Sequence, residues 1–95
     1  MTQPLFETDA FSKQIGKYLC VWELPQRPGL RTRQWNLYSM SGDCLALIKW
    51  YGSWRQYIVE PKQGTVFNEG CLSDIAAFLR DCNATQRRRQ TEVPR

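Results

Sequence analysis

The chain has 95 residues, 42% of them hydrophobic and 13% aromatic, and a formal net charge of +4. That is enough for one domain with its own core, and it excludes a fibrous or wholly disordered chain and a second domain. Histidine is absent, which removes the commonest general base, the Ser-His and Cys-His nucleophile pairs and most transition-metal sites.

The nine carboxylates are scattered, and no glycine-rich phosphate cradle is present. The expectation is a protein that is not an enzyme and carries no cofactor and no metal. No apolar run approaches the ~20 residues of a membrane span. The first residues lack the pattern of an export signal, so a cytoplasmic protein without membrane contact is expected. Cys20, Cys44, Cys71 and Cys82 each sit in an apolar stretch with no Cys-x-x-Cys pair. Free thiols acting as small hydrophobes fit that placement, with a secreted disulfide framework as the lesser alternative.

In chain order, residues 5–16 read as a short helix capped by Thr8 or Asp9, with Phe11 and Ile15 one turn apart and Gly16 at the exit. Residues 17–24 form an apolar first strand ending at Pro25. Residues 25–32, with two prolines and two arginines, make a basic loop. Strands follow at 33–40, 44–51 and 54–60, joined by a turn at 41–43 and a two-residue turn at Gly52-Ser53 in which glycine supplies a positive φ. Residues 64–67 are a candidate fifth strand. Asn68 then caps a helix over 69–82, where Leu72, Ile75, Ala76, Leu79 and Cys82 recur at helical spacing. Residues 1–83 are the expected domain, and 84–95 a disordered basic tail. The fold class is α+β, a four- to five-stranded antiparallel sheet packed by one C-terminal helix.

The turn lengths predict which side chains share a face. Pairing Met40 with Cys44 puts Tyr38, Met40, Cys44, Ala46, Ile48, Trp50, Tyr57 and Val59 under the helix. The other face then carries Arg33, Trp35, Leu37, Leu45, Leu47, Lys49, Tyr51, Trp54, Gln56 and Ile58. Rings beside long cationic side chains suit single-stranded nucleic acid, because every base has a face to stack while Lys and Arg follow the phosphates. The bland alternative is an ordinary solvated sheet of strand-forming aromatics with local cation–π contacts.

Charge is segregated along the chain. Residues 27–57 hold Arg27, Arg31, Arg33, Lys49 and Arg55 against Asp43, a net +4. Residues 80–95 hold Arg80, Arg87, Arg88, Arg89 and Arg95 against Asp81 and Glu92, a net +3. The segments before and between are slightly acidic. Such a pattern suits a polyanion binder, and equally a tail that only aids solubility.

The order of hairpins, short strand and capped helix over residues 33–79 resembles the Whirly and positive-cofactor-four transcriptional coactivator type of single-stranded DNA-binding fold. The stretches that carry it are Ser41-Gly42-Asp43, Leu47-Ile48-Lys49-Trp50-Tyr51 and Gly64-Thr65-Val66-Phe67-Asn68. The resemblance implies a curved antiparallel sheet, often dimerised through its helices, that holds unpaired DNA. The tight Gly52-Ser53 turn departs from that family's long basic second hairpin. In size, aromatic density and basic tail the chain is also similar to small bacteriophage accessory proteins that inhibit host recombination nucleases or defence complexes.

The candidate binding residues are Arg33, Trp35, Lys49, Tyr51, Trp54, Arg55, Arg87, Arg88 and Arg89. The expected partner is single-stranded nucleic acid or, alternatively, a host DNA-processing protein complex. A homodimer with the aromatics in its interface is a third option.

Overall fold

A computed structural model describes residues 12–26, 29 and 31–92, without the side chains of 89–92. Five strands come first: β1 (Ser12–Gln14), β2 (Leu19–Glu23), β3 (Trp35–Ser39), β4 (Cys44–Tyr51) and β5 (Gln56–Pro61). One helix, α1 (Glu69–Glu92), follows them. The strands pair antiparallel in sequence order to form one sheet, and α1 packs on one of its faces. The chain is therefore α+β, with a C-terminal helix on an antiparallel sheet. Among the described residues no helix is long and apolar enough to cross a membrane.

Three local expectations are corrected. Ser12–Gln14 is an edge strand paired with residues 20–22, not the last turn of a helix; the rest of that expected helix lies outside the described residues. A helix this short is marginal alone, whereas the open edge of β2 offers ladder hydrogen bonds. Residues 64–67 form no strand, and Thr65 is tied instead through its hydroxyl, which donates to the Leu45 carbonyl at 3.0 Å. The helix continues to Glu92, so residues 84–92 are helical and not a disordered tail; residues 93–95 lie outside the described residues.

The start of α1 follows from Asn68, whose Oδ1 accepts the Cys71 backbone N–H at 2.8 Å, satisfying a donor that the first turn leaves orphaned. Its continuation follows from Ile75, Phe78, Cys82 and Gln86, all buried and spaced to share one helical face. Two amides that look like the end of the helix are its anchors. The Tyr57 backbone N–H donates to Asn83 Oδ1 at 2.7 Å, and the Tyr57 hydroxyl donates to Gln86 Oε1 at 3.3 Å.

The ladder between β3 and β4 decides the faces. Tyr38 pairs with Cys44, but Leu37 pairs with Ala46 and Trp35 with Ile48, with a bulge at Leu37/Tyr38. The extra residue on β4 flips the side chains beyond it relative to β3. Trp35, Leu37, Ala46 and Ile48 consequently form one buried layer with Leu19, Val21 and Tyr57 under Ile75, Phe78 and Cys82. Trp35 meets Phe78 edge-on at 5.2 Å and Tyr57 at 5.5 Å. An unbulged ladder would put Trp35 and Leu37 on the side of Lys49. Burying an aromatic side chain is worth ~1.5–3 kcal/mol and each edge-to-face pair ~0.5–1.5 kcal/mol more, against ~1 kcal/mol for a ladder hydrogen bond lost at a bulge. The bulge wins.

Replacing Asn83 with Ala tests whether the second half of α1 is held by its amides. The change leaves the Tyr57 N–H without its acceptor, so the urea midpoint should fall by the equivalent of ~1–3 kcal/mol, with loss of helical circular dichroism. An unchanged midpoint would mean that the Asn83 bond to Tyr57 contributes nothing to the fold.

Candidate functional site

The bulge separates the residues expected to share one face. Trp35 is 7% exposed and belongs to the core. Arg33 sits at the rim of the helix-covered side, where its Nε lies 3.1 Å from Glu23 Oε2. Lys49 is on the opposite, uncovered side, with its Nζ 3.2 Å from Glu60 Oε1. Tyr38 also moves off the helix-covered face, and Met40 is exposed in the turn. The continuous platform of Arg33, Trp35, Lys49, Tyr51, Trp54 and Arg55 does not form.

The β4–β5 connection brings the remaining three together. Tyr51 pairs with Gln56, which leaves a four-residue loop at 52–55 where a two-residue turn was expected. The loop closes through the Trp54 and Arg55 N–H groups, both donating to the Tyr51 carbonyl at 3.2 and 2.9 Å. The positive φ falls on Arg55 (56°) and not on Gly52, a conformation costing roughly 1–2 kcal/mol for a residue with a Cβ. Trp54 is 65% exposed and meets Tyr51 edge-on at 4.9 Å. The hairpin tip therefore presents an aromatic pair beside a cation.

Strand direction shows what else lies at that end. The β2–β3 connection, residues 24–34, begins there with the Leu24 N–H donating to the Gln34 carbonyl at 2.8 Å, and it carries exposed Arg31. Helix α1 returns to the same end, because Asn83 and Gln86 bond to Tyr57 at the start of β5. Beyond Gln86 the helix runs on for six residues, roughly 9 Å at 1.5 Å per residue. Arg87 and Arg88 are exposed there, and an Arg88 Nη2 donates to Thr85 Oγ1 at 3.5 Å. Arg89 follows in the same helix, with its side chain outside the described residues.

The two basic stretches of the sequence thus meet at one end of the sheet. Acidic Asp43 lies in the turn at the opposite end, as do Glu69 and Asp74 in the first two turns of α1. The Asp74 carboxylate packs against Gly16 there, so closely that a Cβ on Gly16 would overlap it. That contact, not a helix exit, gives Gly16 its role.

Chemistry at the cysteines is muted. Cys20 and Cys82 are buried, Cys44 and Cys71 half-buried, and none is in a disulfide. Burial, with a smaller contribution from the Asp81 carboxylate, pushes the Cys82 thiol up to about 12; burial also raises Cys20. A thiol of that kind is protonated at neutral pH and is a poor nucleophile. Among the described residues no group of three Cys, Asp or Glu is placed to hold a metal ion.

Sequence reasoning counted Arg31 in the basic stretch but not among the binding residues, and it missed Gln86 as an anchor. The signal for Gln86 was its place four residues after Cys82, continuing the 75–78–82 stripe. Comparison with protein-family models, with curated proteins and with solved structures finds no match.

The raised Cys82 value gives a pH dependence. The thiol titrates near 9 when unfolded and near 12 when folded. Its contribution is therefore constant below about 9 and is lost as pH climbs towards 12, where only the unfolded state has released the proton. Urea titrations should show wild type losing stability more steeply above pH 9 than Cys82→Val. Parallel curves would contradict the assignment.

Proposed function

We propose that this chain is a non-enzymatic module of DNA metabolism that grips single-stranded nucleic acid at one end of its sheet, not across a face. The observation that carries the reading is the exposed Trp54, packed on Tyr51, at the end where Arg31, Arg55, Arg87 and Arg88 gather. Trp54 offers a face for a base, and the arginines offer charge to the phosphates on either side. Arg33 and Lys49, already paired with Glu23 and Glu60, are left out of the contact set at this end, and Trp35 is buried beneath α1.

The same cluster favours a second reading, a host DNA-processing protein docked at this end as a phage-type accessory protein would dock. Trp, Tyr and Arg are the residue types that concentrate binding energy at protein interfaces. Salt separates the two, because phosphate contacts release counterions in proportion to their number.

The test is a fluorescence-anisotropy titration of a labelled oligo-dT at several salt concentrations. Log affinity should fall with log salt by ~0.7 per phosphate neutralised. Trp54→Ala should weaken binding roughly five- to hundredfold. Arg55→Gly should weaken it while leaving the fold as stable or more so, since glycine accepts the positive φ. Absence of binding at low salt would discard the nucleic-acid reading and leave the protein-partner one.

A further inference from the structure

A cleft of about 390 Å³ opens between the β1–β3 side of the sheet and the second half of α1. That size is within the range of small-molecule sites. Its apolar lining is Val21, Trp35, Tyr57, Phe78 and Cys82, all buried. The Tyr57 and Phe78 rings lie edge-on to Trp35, at 5.5 Å and 5.2 Å. The charged lining is Lys13 and Arg33 against Glu23 and Asp81, which balances to zero.

Gln86 also lines this cleft and is only 5% exposed. The Tyr57 hydroxyl accepts the Arg33 backbone N–H at 3.1 Å and donates to Gln86 Oε1 at 3.3 Å. The carboxamide oxygen is used, and its NH₂ has no partner among the described residues. The indole N–H of Trp35 likewise makes no hydrogen bond among them. Two buried donors in one cleft are costly unless something supplies acceptors.

We infer that this cleft binds a planar, uncharged heterocycle bearing a ring carbonyl next to a ring N–H, the lactam edge found in oxopurines and pyrimidinones. The carbonyl accepts from Gln86 and Trp35, the flat ring packs among Trp35, Tyr57 and Phe78, and the Glu23 or Asp81 carboxylate at the rim accepts the ring N–H. A net anion gains nothing from a lining whose charges cancel. The site is separate from Trp54 and stands whether or not the hairpin tip binds a strand. The lactam could belong to a free nucleoside or to a base of a strand, and the experiment distinguishes them.

The probes are inosine and purine riboside, which differ in the ring carbonyl and its N–H, titrated into ¹⁵N-labelled full-length protein by NMR. Inosine should shift the Gln86 side-chain amide and the Trp35 indole resonances saturably, with purine riboside at least tenfold weaker. Gln86→Leu should abolish that preference; the wild-type comparison stands even if this variant unfolds. A single strand containing inosine forms the second arm. Tighter shifts of the same two resonances by the strand identify a strand base as the ligand, and shifts by the nucleoside alone identify a free molecule. No shift with inosine at millimolar concentration, or equal shifts with both nucleosides, overturns the inference. Failure here leaves the salt-dependent oligonucleotide binding at Trp54 as a separate question.

Discussion

One extra residue on β4, accommodated by the bulge at Leu37/Tyr38, decides which side of the sheet the aromatics of β3 occupy. With it, Trp35 and Leu37 join Ala46 and Ile48 beneath the helix. Without it, they would sit beside Lys49, and the core would lose its central ring. The loss of a ladder hydrogen bond is small beside that gain, so the irregular ladder is the stable one. Its functional consequence is that the sheet has no aromatic-basic platform. What is left for recognition is pushed to the end, where β4 turns into β5.

Tyr57 links that end to the helix. Its backbone and hydroxyl bond to Asn83 and Gln86, and its hydroxyl also takes the Arg33 N–H. Three elements far apart in sequence are joined at one side chain. The clamp sets how far α1 travels, and so carries Arg87 and Arg88 to the end already occupied by Arg31 and Arg55. Charge that is merely segregated in the sequence thereby becomes a pole of the folded molecule, and such a pole attracts anions over distances set by salt.

Much of this was legible in the sequence. Strand period, turn residues and the Asn68 cap gave strands β2 to β5 and the helix start, because each rests on local physics. Parity across the β4–β5 hairpin was also readable, since Tyr51 to Gln56 and Tyr51 to Trp54 pairings differ by an even number of residues. The β3–β4 register was not. A bulge is chosen by the comparison of two whole cores, and no local residue of Leu37-Tyr38 or Cys44-Leu45 announces it. The length of α1 was hidden for a related reason. Asn83 and Gln86 look like helix-ending polarity until their partner on Tyr57 is known. Of the candidate site, Tyr51, Trp54 and Arg55 were readable as neighbours in a turn, whereas Trp35 and Lys49 were assigned through the register that the bulge changes.

The most direct measurement of the central claim is a set of NOEs from the Trp35 indole protons in the folded protein. The bulged register places them on the Phe78 and Tyr57 rings and on Ile48. Contacts from Trp35 to Lys49 or Leu47 instead, with none to Phe78, would show an unbulged ladder and undo the placement of every residue argued from it.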